Sequence, residues 1–202
     1  MTIERGRAWG EPGALPANGI VVRTDAEARA VVEEARRAGR PVPPLGLAGG
    51  DLCRTLGGTG DVARLYSGDA MTFPVDLGAV LVDGRLHWFV AHLVVRDVLW
   101  RRAFIAMNAQ WVGQLNFGPR AHPDDGRLDV YDVHLPLGGF LAVRARARTG
   151  AHLPHPGIRE RRAPAVQVDL GRALPLRVDG VRIGRARNLS VRIEPDALTV
   201  VV

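Results

Sequence analysis

The chain has 202 residues, 47% of them hydrophobic and 24% charged, enough for one sizeable core or two small ones and too apolar for wholesale disorder. Its net charge of +6 comes from 27 basic residues that are all Arg; such one-sided usage is what a GC-rich coding sequence gives, so no nucleic-acid partner is expected, although a basic face near Arg159, Arg161 and Arg162 could hold a phosphate group or a membrane surface. Cys53, the single cysteine, cannot form an internal disulfide and has no His or Cys at ligand spacing; no apolar run is long enough to cross a bilayer and residues 1–10 hold no signal-peptide core, so a cytoplasmic protein is expected.

Residues 1–18, with Gly6, Gly10, Pro12, Gly13 and Pro16, keep neither a helical nor a strand period and are expected as a loose arm. Residues 20–23 predict a short strand, Thr24 or Asp25 a helix cap, and 26–38 a helix with Ala28, Val31, Val32 and Ala35 on one face and Gly39 as its stop. Pro41, Pro43 and Pro44 force an extended run into 45–47, which completes a βαβ-like unit. Gly49 and Gly50 then lead into a short helix for which Asp51 is the expected N-cap and Gly57 or Gly58 the end. A helix that starts after glycines can hold phosphate on its free amides, which makes Gly49, Gly50 and Asp51 candidate nucleotide-binding residues. Their spacing matches neither the P-loop nor the dinucleotide fingerprint, and an ordinary cap fits as well.

From residue 73 the hydrophobic period becomes two. Residues 75–82, 86–95 and 102–107 predict strands, with Asp83-Gly84 as a two-residue hairpin turn. The polar stretch 117–130 follows, and its adjacent carboxylates Asp124 and Asp125 belong at a strand end, where they could hold a hard cation or form an Asx turn before Gly126. Residues 136–149 fit both a strand, through the alternation of Arg144, Arg146 and Arg148, and a helix, through Leu137, Phe140, Leu141 and Arg144; a helix is the expectation. Residues 165–170, 174–178, 191–193 and 198–202 complete a β-rich half, with Asp179-Gly180 as a second tight turn. His87, His92 and His134 lack mutual ligand spacing and read as strand residues, while His152 and His155 flank Pro154 and fit loop packing or the rim of a cleft.

The order of these motifs resembles the bacterial diacylglycerol kinase and sphingosine kinase family, lipid kinases whose relatives include the NAD kinases. The resemblance rests on Asn108-Ala-Gln-Trp111, Gly113, Pro119-Arg-Ala121, Asp124-Asp-Gly-Arg-Leu-Asp129, Gly150-Ala-His152, Val178-Asp-Gly180 and Ile193-Glu-Pro-Asp-Ala-Leu198, with Gly50 to Gly57 and Pro74-Val-Asp-Leu-Gly78 upstream. It implies an α+β fold: a C-terminal β-sandwich over 73–202, with a helix near 137–149, packed on a shortened α/β unit over 19–72. It also implies a Mg2+ site made of the Asp125 carboxylate and the backbone carbonyls of His122 and Arg127.

Departures from the family pattern are as informative. The family's Gly-Gly-Asp-Gly-Thr phosphate loop is absent before residue 45, the segment before Gly49 is short for a nucleotide domain, and Ala48 and Gly50 stand where the family has Thr and Asn. Val181 occupies the position of the family's general base, leaving Asp179 as a weak substitute, and loss of such a base costs roughly 10²- to 10⁴-fold in rate. The expectation is therefore a diacylglycerol kinase-like protein impaired in catalysis that binds a lipid or other apolar small molecule, with Mg2+ as the implied cofactor and the missing loop arguing against ATP. Two alternatives are an active lipid kinase completed by a partner or homodimer, with Asp51, Asp76 or Asp179 as base, and a non-catalytic β-sandwich interaction module. Peripheral membrane contact is a further expectation.

Overall fold

The computed structural model describes residues 9–202. Thirteen strands and three helices follow in order: β1 Glu11–Pro12, β2 Ile20–Val22, α1 Asp25–Arg37, β3 Leu45–Leu47, α2 Gly50–Thr55, β4 Met71–Val82, β5 Arg85–Phe89, β6 His92–Arg96, β7 Arg102–Met107, β8 Trp111–Val112, β9 Leu115–Asn116, β10 Leu128–His134, α3 Gly139–Ala147, β11 Ile158–Ala163, β12 Ala165–Val178 and β13 Val181–Val201. The result is the α+β, strand-dominated architecture the sequence predicts, and among the described residues no helix is long and apolar enough to cross a membrane.

One continuous sheet runs β1-β4-β13-β12-β6-β7-β10-β11, with β5 paired to β4. Its middle is made by the long strand β13, which pairs antiparallel with β12 and β4 and, at its end, parallel with β3. Because β2 and β3 are also parallel and α1 connects them, the opening βαβ unit is stitched onto the sandwich through Val200 and Val201. Both expected tight turns form: Asp83, Gly84, Asp179 and Gly180 all have positive φ, as a two-residue hairpin loop with matching twist requires.

Alternation builds three packed layers. In β7, Phe104 and Ala106 face the sandwich core with Phe89, Leu93, Leu128 and Val130, whereas Ala103, Ile105 and Met107 face the opposite side, under α3, with Tyr131, Val133 and Val143. A third cluster joins Ala28 and Val32 of α1 and Leu52 of α2 to Leu45, Val75, Leu77 and Val200. The α3 region, ambiguous in sequence, is a helix because Val143 and Ala147 fall on one side, four residues apart, and cover that outer layer.

Three expectations are corrected. Of the loose arm over 1–18, residues 1–8 lie outside the described residues; beyond them Glu11–Pro12 pairs with β4, and buried Leu15 bonds through its amide to the Leu65 carbonyl, so apolar anchoring overrides the Gly and Pro content. The strand expected over 86–95 breaks at Val90 and Ala91, whose amides turn to the Asp179 carboxylate instead of a neighbouring strand. Asp51 is not the N-cap of α2: Gly49 holds that position without a side-chain bond, and the capping oxygens come from Asp25, 26 residues earlier.

Candidate functional site

Three groups of residues stand out, two polar ones where the βαβ unit meets the sandwich and an apolar one along the outer layer. The first lies at the carboxyl ends of β2 and β3, the edge of a parallel sheet where ligands usually bind. The β2–α1 turn there is Arg23-Thr24, with no glycine, and Thr24 caps α1 by accepting from the Glu27 amide at 3.1 Å. After β3 the glycines do permit a close approach: a Cβ on Gly49 would lie 2.4 Å from the Arg23 carbonyl, and one on Gly50, which has φ +97°, 2.6 Å from Asp25 Oδ1. The approaching group is Asp25 itself. Its carboxylate accepts from the Asp51 amide at 2.6 Å and the Leu52 amide at 3.0 Å, so the two donors that would face a phosphate are taken by an internal anion. Burial pushes the Asp25 pKa up to about 6, against the lowering effect of those two amides.

Asp51 lies alongside, with its carboxylate accepting from the Gly113 amide at 3.0 Å and standing 3.6 Å from Nδ1 of buried His92, whose pKa burial lowers. Asp179 is fully enclosed and accepts from three amides, Val90, Ala91 and His92, at 3.0 to 3.1 Å. Burial and then the Asp25 charge raise its pKa to about 7. Its oxygens hold the chain break between β5 and β6, a structural duty that occupies the group proposed from sequence as a substitute base. Val181, next to this turn, is exposed.

The second group surrounds the acidic turn. Asp76 of β4 accepts from the Gly126 amide at 2.7 Å and the Asp196 amide at 3.0 Å, so one carboxylate ties the turn to the irregularity in the β13–β4 pairing between Glu194 and Leu198. Oxygens of Asp76, Asp124 and Asp196 lie within 4.8 Å of one another, an all-oxygen set of the kind hard divalent cations take. Burial pushes Asp76 and Asp124 each up to about 6. Asp125 points elsewhere: it accepts from the Arg127 amide at 2.9 Å in an Asx turn and pairs with Arg162, whose Nε also reaches Asp129 at 2.9 Å. Buried Asn108 braces the group by donating to the Asp76 carbonyl at 2.8 Å and the Val90 carbonyl at 2.9 Å.

The third group, missed in sequence, is a narrow apolar chamber between β7, β10 and α3, lined by Trp100, Ile105, Phe117, Tyr131, Phe140 and His152 among others. Trp100 and Phe140 close it as flat-stacked rings 4.3 Å apart and 3° from parallel. Tyr131 and His152 are almost fully buried, yet the Tyr131 hydroxyl and His152 Nδ1 have no hydrogen-bond partner among the described residues. Unpartnered polar atoms in an apolar wall are costly and need an explanation. The free space of about 10 Å³ is at the lower limit for a single water, so the chamber admits a larger molecule only when α3 shifts. The one signal available was the inward alternation of Tyr131 and Val133 along β10, which does not show what lies opposite.

Residues 71–202 match the family described as YegS C-terminal NAD kinase beta sandwich-like domain. No curated protein matches the chain. Solved structures of proteins assigned as diacylglycerol kinases from Bacillus anthracis str. Sterne share the fold: one has a TM-score of 0.72 at 15% identity, covering 91% of this chain and 77% of that one. A second has a TM-score of 0.64 at 16% identity, covering 91% and 75%. With its β-sandwich matched from β4 to its last residue, the chain belongs to the YegS-type lipid kinase family.

Proposed function

We propose that this chain is a lipid-binding member of its family that does not transfer phosphate from ATP. The observation that carries the reading is the Asp25 carboxylate on the α2 amides: a nucleotide phosphate at that helix start would have to displace an internal anion. Val181 cannot accept a proton, while Asp179 and Asp76 are engaged by backbone amides and Asp51 by Gly113, so each of the three carboxylates considered as substitute base is already an acceptor. Lipid binding is supported by the walls under α3, which are aromatic and aliphatic and carry the Tyr131 hydroxyl and His152 Nδ1 toward a polar headgroup or ester; an acyl chain would enter only with a shift of α3, since the closed chamber has no room for one.

A divalent cation fits the donors present. Asp76, Asp124 and Asp196 would hold it, and bound there it would supply positive charge that joins the acidic turn to β4 and β13. The alternative set implied by the family, Asp125 with the carbonyls of His122 and Arg127, would require Arg162 to give up its partner. In either case the residues serve as a brace between strands.

Two measurements test the reading. Incubation with Mg2+ and ATP on diacylglycerol or sphingosine should give no phosphate transfer, and turnover at ordinary kinase rates would overturn the reading. Extraction of the purified protein followed by mass spectrometry should release a bound lipid whose yield falls when Tyr131→Phe removes the buried hydroxyl; an identical yield from that variant would place the lipid elsewhere.

A further inference from the structure

We propose that α3 and the 97–100 turn form a single face that docks on an anionic lipid bilayer. Large hydrophobic residues stand exposed at eight described positions, and four of them fall here: Val98 at 83% and Leu99 at 57% in the turn, Leu141 at 70% in α3 and Leu137 at 73% just before it. The stretches are locked together by the Trp100–Phe140 stack and by the Leu135 amide, which donates to the Arg101 carbonyl at 2.9 Å. In α3, Val143 and Ala147 turn inward, while the outer side mixes Leu141, Ala142 and Ala145 with Arg144 and Arg146. A helix that served only to cover the core would not expose a leucine at 70% on that outer side.

Charge selects the occupant. No Asp or Glu occurs between Asp132 and Glu160, whereas Arg144, Arg146 and Arg148 are exposed along α3 and just beyond it, and Arg101 is exposed beside the turn. Asp97 in the turn and Asp132 on β10 are each paired, Asp97 with Arg172 at 3.1 Å and Asp132 with Arg102. What is left is aliphatic side chains flanked by guanidinium groups with no carboxylate partner among the described residues. A bilayer with anionic headgroups takes both: the aliphatic residues enter the acyl boundary and the arginines meet the headgroup charge. The face includes the roof of the chamber, so docking would set the roof against the membrane, but the inference stands whether or not the chamber holds a lipid.

Flotation of the purified full chain with vesicles tests it. The protein should float with phosphatidylcholine vesicles containing about 30% phosphatidylglycerol, much less with phosphatidylcholine alone, and detach at high salt. Leu137→Ser with Leu141→Ser, and separately Val98→Ser with Leu99→Ser, should each weaken partitioning about tenfold. Arg144→Glu with Arg148→Glu should remove the preference for anionic vesicles. All these positions are exposed, and unchanged melting curves would confirm that the variants fold. Absence of flotation, or equal flotation by every variant, would overturn the inference. So would light scattering that finds a dimer which the Leu137 and Leu141 substitutions turn into monomers, since the face would then join two copies of this chain. Chamber occupancy, read by lipid extraction, is a separate result.

Discussion

Replacing Asp25 with alanine isolates the interaction on which the proposed function rests. The substitution leaves the amides of Asp51 and Leu52, bonded at 2.6 and 3.0 Å, without an acceptor in a closed site. A hydrogen bond to a charged group contributes about 1.5–3 kcal/mol, so the two together would be worth several. Against this, keeping Asp25 ionised in the fold has its own cost. The rise from its ordinary value of 3.8 to about 6 corresponds to about 3 kcal/mol at neutral pH. The net loss expected at pH 7.5 is therefore modest, about 1–3 kcal/mol, in the range of helix caps.

The pH dependence is the sharper readout. Between 3.8 and about 6 the folded state holds a proton on Asp25 that the unfolded state has released, so folding stability from this group rises as pH falls through that window. Wild type should gain on the alanine variant by up to about 3 kcal/mol between pH 7 and pH 4. Most other titrating groups occur in both proteins and cancel in the difference; Asp179 does not cancel fully, because the Asp25 charge contributes to its raised pKa. Urea denaturation followed by tryptophan fluorescence at several pH values measures this difference. A variant as stable as wild type at pH 7.5, with a pH-independent difference, would refute the role given to Asp25.

Tyr131→Phe removes a buried hydroxyl without a partner, so the ligand-free protein should gain about 1 kcal/mol in urea denaturation while retaining less lipid on purification; a loss of stability would mean the hydroxyl is satisfied. Mg2+ or Ca2+ added to chelator-treated protein should raise the melting temperature by about 2–4 °C at tenfold excess over Kd. That shift should vanish in Asp124→Asn, and its survival would place the cation elsewhere. Gly78→Ala would set a Cβ 2.2 Å from the Phe89 ring in the sandwich core, a clash expected to cost about 1–3 kcal/mol by calorimetry, whereas an unchanged transition would show that β5 moves aside.

Period and turn chemistry carried most of the fold. The alternation from residue 73 onward, the positive-φ turns at Asp83-Gly84 and Asp179-Gly180 and the Pro-driven entry into β3 all follow from local rules that tertiary contacts reinforce. Failures came where a distant group supplies what a local one was expected to give. Asp51 satisfies every local criterion for an N-cap, yet the oxygens on α2 come from another helix, and nothing in the residues around Asp51 announces that. The break at Val90 and Ala91 has the same origin, since an unbroken apolar run carries no trace of a carboxylate 89 residues away. Tyr131 and His152 were legible only as one strand residue and one loop residue, because their shared chamber exists only once α3 lies across β7 and β10.

Three aspartates perform one kind of task in this chain. Asp25 holds two amides at the start of α2, Asp179 three at the β5–β6 break, and Asp76 two at the acidic turn and the β13 irregularity, so each ends a cluster of donors that no strand or helix partner reaches. Clusters of convergent amides are what a phosphate ligand needs. Here they are filled from within, and Asp25 and Asp179 are near enough for the charge of one to raise the pKa of the other. An incoming nucleotide would meet internal anions at the α2 start and like charge beyond it. An apolar ligand entering beneath α3 would meet neither, because that chamber lies on the far side of β7 and β10 from the sandwich core and is walled by Trp100, Phe117 and Phe140. The electrostatics that disfavour phosphate thus leave the outer layer open to an uncharged ligand, and the separation of the two regions predicts that Asp25→Ala will leave lipid content unchanged. A variant that lost its lipid together with its α2 cap would show that the two regions are coupled and the proposed division of roles is wrong.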